Sequence, residues 1–436
     1  MTDQIFIHSK DDLINYFSEG SKPENQWRIG VEHEKLLFDQ KSLKRISYES
    51  GIKEILERLQ SHGWTPVFEN TTLIGLKKKD ASISLEPGGQ FELSGAPLLT
   101  IHDVKDELNN HLIALKSITE SLGIRIVGVG VDPYSAREDI PWMPKERYRL
   151  MRQYMPTKGK LGLDMMTATC TVQVNLDFSS EEDMALKFKV AMALQPFATA
   201  LFANSPMREG QDSGYESYRA AIWQDTDPER CGLLPFVFES NFNFEKYVDY
   251  ALNVPMYFVK RGDNYISALG LSFQDFLQGK LSILPGELPT IKDWEDHLST
   301  LFPEVRLKRY LELRGADVGT ARHILALPAF WVGLLYDKES LYEAYEVIKN
   351  WSYEDVSKLY REVPRLGLEA SFQRKILREW WKELLKLSHT GLKNRGFRDT
   401  EGITEVSYLE YLEERLKSED FNKQKNLNTF IEENTF

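Results

Sequence analysis

Four strand-like runs in this chain place carboxylates and amides at every second position. Residues 29–38 read IGVEHEKLLF, with Glu32 and Glu34 two apart. Residues 82–93, SISLEPGGQFEL, carry Glu86 and Glu92. Residues 171–178, TVQVNLDF, carry Gln173 and Asn175, and residues 308–317, KRYLELRGAD, carry Glu312 and Arg314. Side chains alternate across a strand, so the members of each close pair share a face. A sheet that offers carboxylates and amides from several strands to one surface must cancel that charge. Divalent cations with hard oxygen ligands do so, and magnesium carrying nucleotide phosphates is the commonest case. Taken singly, each run reads as the solvent-facing side of an ordinary half-buried strand. Together, faces that repeat Glu, Gln and Asn favour a metal-lined catalytic sheet.

The elements that must position these residues come from a chain of 436 residues, long enough for two or three average domains or one large unit. It is 42% apolar with a formal net charge of −12. That balance supports a sizeable core and argues against a nucleic-acid partner, which needs a basic footprint. A nucleotide needs only a local cationic patch. Arg306, Lys308, Arg309 and Arg314 supply one, and Lys145, Arg147, Arg149 and Arg152 another; from charge alone each is equally a solvated face. Only two cysteines, Cys170 and Cys231, are present, without metal-site spacing, which reads as an intracellular chain without a disulfide scaffold. The N-terminus lacks a basic and an apolar region of the secretory kind. The longest apolar stretch, residues 190–203, is interrupted by Gln195 and Pro196, and a bilayer needs about 20 residues. A cytoplasmic protein with no membrane partner is the expectation.

Periodicity predicts helices over residues 10–17, 51–62 (ended by Gly63) and 103–122, and short antiparallel strands over 64–69, 72–77 and 81–85. A strand follows over 125–131. Ser179 and Glu182 have capping-box spacing at the start of a deeply packed helix. Residues 205–254 read as loop-rich. The C-terminal third reads as helices over 337–351, 353–363 and 372–387, with Trp380 and Trp381 as core packing, and the polar tail after Lys417 is expected to fray. No linker divides the chain, so residues 1–417 read as one catalytic domain and 418–436 as a tail. An α+β architecture with one dominant antiparallel sheet and peripheral helices fits this order. Gly128-Val129-Gly130 lacks the third glycine of a dinucleotide fingerprint, Gly88-Gly89 lacks the Lys-Ser/Thr of a P-loop, and the histidines show no metalloprotease spacing. His33, between Glu32 and Glu34, points to the other face. What remains is magnesium, carboxylates and arginines, the equipment of phosphoryl transfer.

Longer runs carry a resemblance. GVEHEK, SLEPGGQFELSGAP, MPKERYRLMRQYMP, CTVQVNLDF, ALFANSP, SYRAAIWQDTDPERCG, DYALNVPMYF, LPGELPT and FPEVRLKRYLELRGAD stand in this order. Together they resemble the glutamate–cysteine ligases of plants and many proteobacteria, over roughly residues 26–337 and more weakly beyond. The resemblance implies a glutamine-synthetase-like catalytic fold, with a curved antiparallel sheet lining the site. It implies an ATP-dependent ligation of the glutamate side-chain carboxylate to the α-amine of cysteine, with Mg2+ (or Mn2+) as the metal and a monomer or homodimer as the working form. Carried over to this chain, Glu32, Glu34, Glu92, Gln173, Asn175 and Glu312 would hold metal, with Glu86 as a further ligand or support. Arg314 would stabilise the transferring phosphoryl group. Arg147 and Arg219 would bind substrate, where a bidentate fork suits a carboxylate, and Tyr257 is placed on the substrate side or in core packing. The plant members' regulatory cysteine pairs fall at Lys105 with Leu325 and at Ala268 with Ile283, none of them cysteine here; this implies no thiol switch of the plant type. Two alternatives stay open: a sister ligase joining glutamate to a different amine, and a non-catalytic ligand-binding relative.

Overall fold

The alternating runs become neighbouring strands of one sheet in the computed structural model, which describes residues 5–418 and 426–436. The eight strands are β1 (Ile29–His33), β2 (Thr65–Glu69), β3 (Thr72–Lys78), β4 (Ala81–Leu85), β5 (Phe91–Ser94), β6 (Thr171–Leu176), β7 (Val305–Leu307) and β8 (Leu311–Asp317). They lie in the order β7-β8-β6-β1-β5-β4-β3-β2, and each pairing is antiparallel. Register then decides which side chains meet. Glu32 lies opposite Gln173 on one side and Ser94 on the other. Asn175 lies between Gly30 and Glu312, and Arg306 lies opposite Glu312. Directly opposed residues share a face, so strands far apart in sequence feed one surface. Gly30 makes room there: a Cβ at this position would stand 3.1 Å from the Asn175 Cβ.

The other face of the sheet is apolar. Val172, Val174, Leu176, Leu311 and Leu313 are buried in the larger of two cores. The helices Glu181–Leu201 and Ala321–Leu335 pack against β8 and β6. Both are apolar on most of their circumference, and such helices are stable only when surrounded. The smaller core gathers Ile83, Leu85, Phe91 and Leu93 from the β4–β5 side with Ile52, Ile55, Leu56 and Leu59. Among the described residues no helix is long and apolar enough to cross a membrane.

Several local expectations shift. The helix beginning at Glu181 is capped by Ser180, whose Oγ accepts from the Asp183 N–H; Ser179 N and Oγ instead donate to the Asp183 carboxylate. The expected strand over 125–131 is the four-residue Ile124–Val127. The segment 205–254 contains the helices Tyr218–Gln224 and Phe244–Asn253, the second capped by Asn243. Their glycine-, proline- and aromatic-rich surroundings mask the period of so few turns. The last long helix starts at Leu377, because Ser371–Phe372 and Lys375–Ile376 form a hairpin whose Gln373 and Arg374 have positive φ. Part of the tail, residues 419–425, lies outside the described residues. Its far end does not fray: Leu427–Glu433 is a helix that buries Phe430 and Ile431, and Phe436 N donates to the Ile126 carbonyl. Hydrogen bonds to Asn434 from Gly128 N and Asn204 Nδ2 hold it as well.

Candidate active site

Each carboxylate of the site is placed by its strand and then fixed by a donor. Glu32 accepts from Asn175 Nδ2 at 2.8 Å. Glu34, just past β1, accepts from the Thr171 N–H at 2.9 Å. Glu92 takes the hydroxyls of Ser84 and Ser94, its cross-strand and same-strand neighbours, at 2.9 and 2.8 Å. Glu86 sits at the turn after β4 beside the Tyr148 hydroxyl, 3.4 Å away. These four line one cavity of about 210 Å³ with Gln90, Arg147, Gln173, Arg219, Arg306 and Arg314. His33 and Lys35 alternate away from it, and their Nδ1 and Nζ meet 2.5 Å apart in the buried layer beneath.

Crowded carboxylates in a partly dry cavity resist ionisation. Burial, with Glu312 and Glu92 nearby, pushes Glu32 up to about 7. Burial and the charges of Glu86 and Glu92 hold Glu34 well above the usual carboxylate range, and Glu92 is raised by burial and Glu86. This corner of the site is short of positive charge.

Glu312 is the opposite case. Burial alone would raise it, but Arg306, Lys308 and Arg314 together outweigh that and hold it well below the ordinary range. Arg306 grips both oxygens, Nε to Oε2 and Nη2 to Oε1, each at 2.7 Å. Arg314 Nη1 shares Oε1 at 2.7 Å, and Lys308 Nζ lies 3.3 Å from Oε2. Glu312 is fully buried and does not line the cavity. In this structure both its oxygens bind cations, and it anchors Arg306 and Arg314. Gln173 lines the cavity, and its Oε1 accepts from Arg314 Nη1 at 2.6 Å.

The arginines are aimed by backbone irregularity. The β6–β8 ladder shifts register between Leu313 and Ala316, and such a bulge frees backbone groups and re-aims side chains. The freed Arg314 carbonyl accepts from Arg219 Nη2 at 2.9 Å, and Thr171 Oγ1 accepts from the same nitrogen at 3.1 Å. Arg219 stands on the second residue of the helix Tyr218–Gln224. Its Nε is buried without a partner, as is Nε of Arg147. Both residues line the cavity, and an unpaired buried donor is costly. Of the basic clusters seen in the sequence, Arg306, Lys308 and Arg314 converge, whereas Arg309 turns away to Glu19. Arg147 lines the cavity and Lys145 Nζ donates to the Leu85 carbonyl at 2.8 Å, whereas Arg149 pairs with Glu146 and Arg152 stacks on Trp142.

Tyr257 does not reach the cavity. It is buried with the Arg230 guanidinium 3.9 Å above its ring, and Met155 Sδ is 3.8 Å from its hydroxyl. The core-packing alternative is the correct one. Tyr257→Phe is expected to change the Michaelis constants for the substrates by less than about twofold, since no buried partner loses a strong hydrogen bond; steady-state kinetics of the variant checks this.

Residues missed in the sequence are Tyr148, Thr171, Trp223, Phe302 and the trio Met151, Met165 and Met166, all lining the cavity. For Tyr148 and Met151 a signal existed: they stand at helical spacing beside Arg147 on the helix Glu146–Tyr154. Thr171 continues the alternating face of Gln173 and Asn175, and Met165 and Met166 are adjacent on the helix Gly162–Ala168; Trp223 and Phe302 come from separate segments.

Whether the residues suit a divalent metal is answered by donor chemistry. Among the described residues, no three His, Cys, Asp or Glu side chains are drawn tightly enough together to hold an ion as they stand. The donors nevertheless fit: Glu32, Glu34, Glu86 and Glu92 are hard oxygens lacking counter-charge. Asn175 Oδ1 is buried without a partner beside Glu32.

Comparison with known proteins follows the same line. The model of glutamate–cysteine ligase family 2 matches residues 28–434. Glutamate–cysteine ligase B, chloroplastic, of Oryza sativa subsp. japonica is 54% identical over 399 residues, covering 91% of this chain and 80% of the relative. The chloroplastic glutamate–cysteine ligases of Medicago truncatula and Arabidopsis thaliana are 52% and 53% identical, covering 92% and 90% of this chain and 78% and 75% of theirs. The crystal structure of a Francisella tularensis glutamate–cysteine ligase in complex with AMP matches with a TM-score of 0.57 over 94% of this chain and 87% of that one. At 12% identity this is a likeness of fold. The cytoplasmic expectation is overturned by the relatives, whose names place them in the chloroplast. Composition and cysteine count do not separate the two compartments.

Proposed function

The chain belongs to glutamate–cysteine ligase family 2, and we propose that the cavity between β1, β5 and β8 is where it performs the ATP-dependent joining of glutamate and cysteine into γ-glutamylcysteine, the first step toward glutathione. The observation that carries this reading is the meeting, in one cavity, of four carboxylates with the arginines Arg147, Arg219, Arg306 and Arg314.

A carboxylate is a poor electrophile because oxide is a poor leaving group. An oxygen of the glutamate γ-carboxylate attacks the terminal phosphorus of ATP, the bond to ADP breaks, and an acyl phosphate forms. The α-amine of cysteine then attacks the acyl carbon, loses a proton, and expels phosphate. The first transfer gathers negative charge, and fixed cations aimed at that charge lower its barrier. Arg314, locked by Glu312 and Gln173, is the cation on the phosphoryl side. Arg147 and Arg219, both in the cavity wall, orient glutamate. Met151, Met165, Met166, Trp223 and Phe302 form an apolar wall that keeps water from the acyl phosphate. Magnesium, or manganese, would be held by Glu32, Glu34, Glu86 and Glu92 with Asn175, and when bound supplies charge neutralisation for the nucleotide phosphates.

Phosphate release with ATP, magnesium and glutamate, with and without cysteine, tests the reading, with the product identified by mass. Cysteine-dependent release with γ-glutamylcysteine as product is expected. A response to another amine alone would move the chain to a sister ligase, and silence with every amine would leave the non-catalytic reading.

A further inference from the structure

Three of the long sequence runs meet at one buried side chain outside the cavity. Asp317 ends β8, in the ELRGAD run. It is 1% exposed and does not line the cavity. Its Oδ2 accepts from the Asn204 N–H at 2.8 Å and the Ser205 hydroxyl at 2.6 Å, both from the ALFANSP run. Its Oδ1 accepts from the Ser217 hydroxyl at 2.8 Å, at the start of the SYRAA run, and lies 4.0 Å from Arg219 Nη1.

The two serines pass this order on to Arg219. Ser217 Oγ caps the helix Tyr218–Gln224 by accepting from the Ala220 N–H at 3.1 Å. Ser205 Oγ accepts from the Arg219 N–H itself, also at 3.1 Å. A hydroxyl has one proton. With both protons spent on Asp317, both oxygens are left facing the helix as acceptors. The helix has seven residues, too few to hold its own direction. The carboxylate is itself immobile. Asn204 is fastened by its Nδ2 to the carbonyls of Gly128 and Val318 and to Asn434 Oδ1. On the other side Gly130 leaves no slack, since a Cβ there would stand 2.5 Å from Asp317 Cγ.

We propose that Asp317 is the positioning residue of Arg219: through Ser205 and Ser217 it fixes the start of the short helix, and with its own charge it sets the guanidinium at the cavity wall. This rests on the reading of Arg219 as a substrate-orienting residue. An amide cannot replace the acid, because its NH2 would confront a donor that the carboxylate now accepts.

The test is a double-mutant cycle in the full chain, with Asp317→Asn, Arg219→Lys and the pair, each followed by glutamate and ATP kinetics. Asp317→Asn is expected to raise the KM for glutamate about tenfold, from the loss of one charged hydrogen bond, and to move the KM for ATP much less. The pair is expected to be no worse than Arg219→Lys alone, because both changes spoil one device. Fold-changes that multiply, or an unchanged glutamate KM in Asp317→Asn, overturn the proposal and leave Arg219 as a substrate residue. An Arg219→Lys variant with unaltered constants overturns both readings. If Asp317→Asn does not fold, Ser217→Ala takes its place in the cycle, removing one link of the same device, with the same outcomes deciding.

Discussion

Glu312→Gln is expected to lower turnover at least about a hundredfold, and to destabilise the folded chain by about 3–5 kcal/mol. The residue is fully buried, with two arginines and a lysine on its carboxylate. Glutamine keeps the shape and removes the charge. It also turns an NH2 toward cations that only donate. Arg306 and Arg314 are then buried without compensation, which is why the loss reaches stability as well as rate. Arg314 is released from one of its two anchors, Gln173 being the other, so a cation preorganised for the phosphoryl group becomes mobile. A metal ligand would behave differently: its loss would spare stability and be offset by excess magnesium. Denaturant unfolding and turnover across a magnesium titration separate the two. Activity restored by magnesium in a variant of unaltered stability would return Glu312 to the metal set.

Arg219→Lys is the second large effect. One guanidinium nitrogen serves the Arg314 carbonyl and Thr171 Oγ1, while the side chain lines the cavity. Lysine keeps the charge but offers a single ammonium on a flexible stem. It cannot hold the bulge carbonyl and also present a donor to the cavity. Loss of one charge-assisted hydrogen bond to substrate is worth about 1.5–3 kcal/mol, a roughly 10- to 150-fold rise in the KM for glutamate. Steady-state kinetics at saturating ATP reads this directly. If both KM and turnover match the parent chain, Arg219 does not orient substrate.

How much of this was legible in the sequence differs from residue to residue. The two-residue spacing of Glu32 with Glu34 and of Glu312 with Arg314 determined which side chains share a face, because strand alternation is a local property of the backbone. The long ordered runs determined the family, and with it the α+β fold and its antiparallel sheet. Amphipathic helices such as Lys10–Ser18 and Ile101–Ser121 were readable from period, whereas Ala321–Leu335, apolar on most of its circumference, was not. The short ones at Tyr218–Gln224 and Phe244–Asn253 were not readable either: Ser217 and Asn243 cap them locally, but so few turns give a weak period and their packing comes from distant segments.

What the tertiary structure decided is the role of each charged group. Glu32 and Glu312 look alike in sequence, each a glutamate on an alternating strand. One faces other carboxylates and is raised to about 7; the other meets Arg306, Lys308 and Arg314 and is driven well below its ordinary range. Tyr257 likewise stood in a family run yet lies under Arg230, away from the cavity. The sequence by itself determined the residue types, their faces and the family they belong to. Only the fold decided which of them remain free to bind, because a side chain's charge and hydrogen-bonding capacity are set by neighbours that pairing register and helix packing bring from hundreds of residues away.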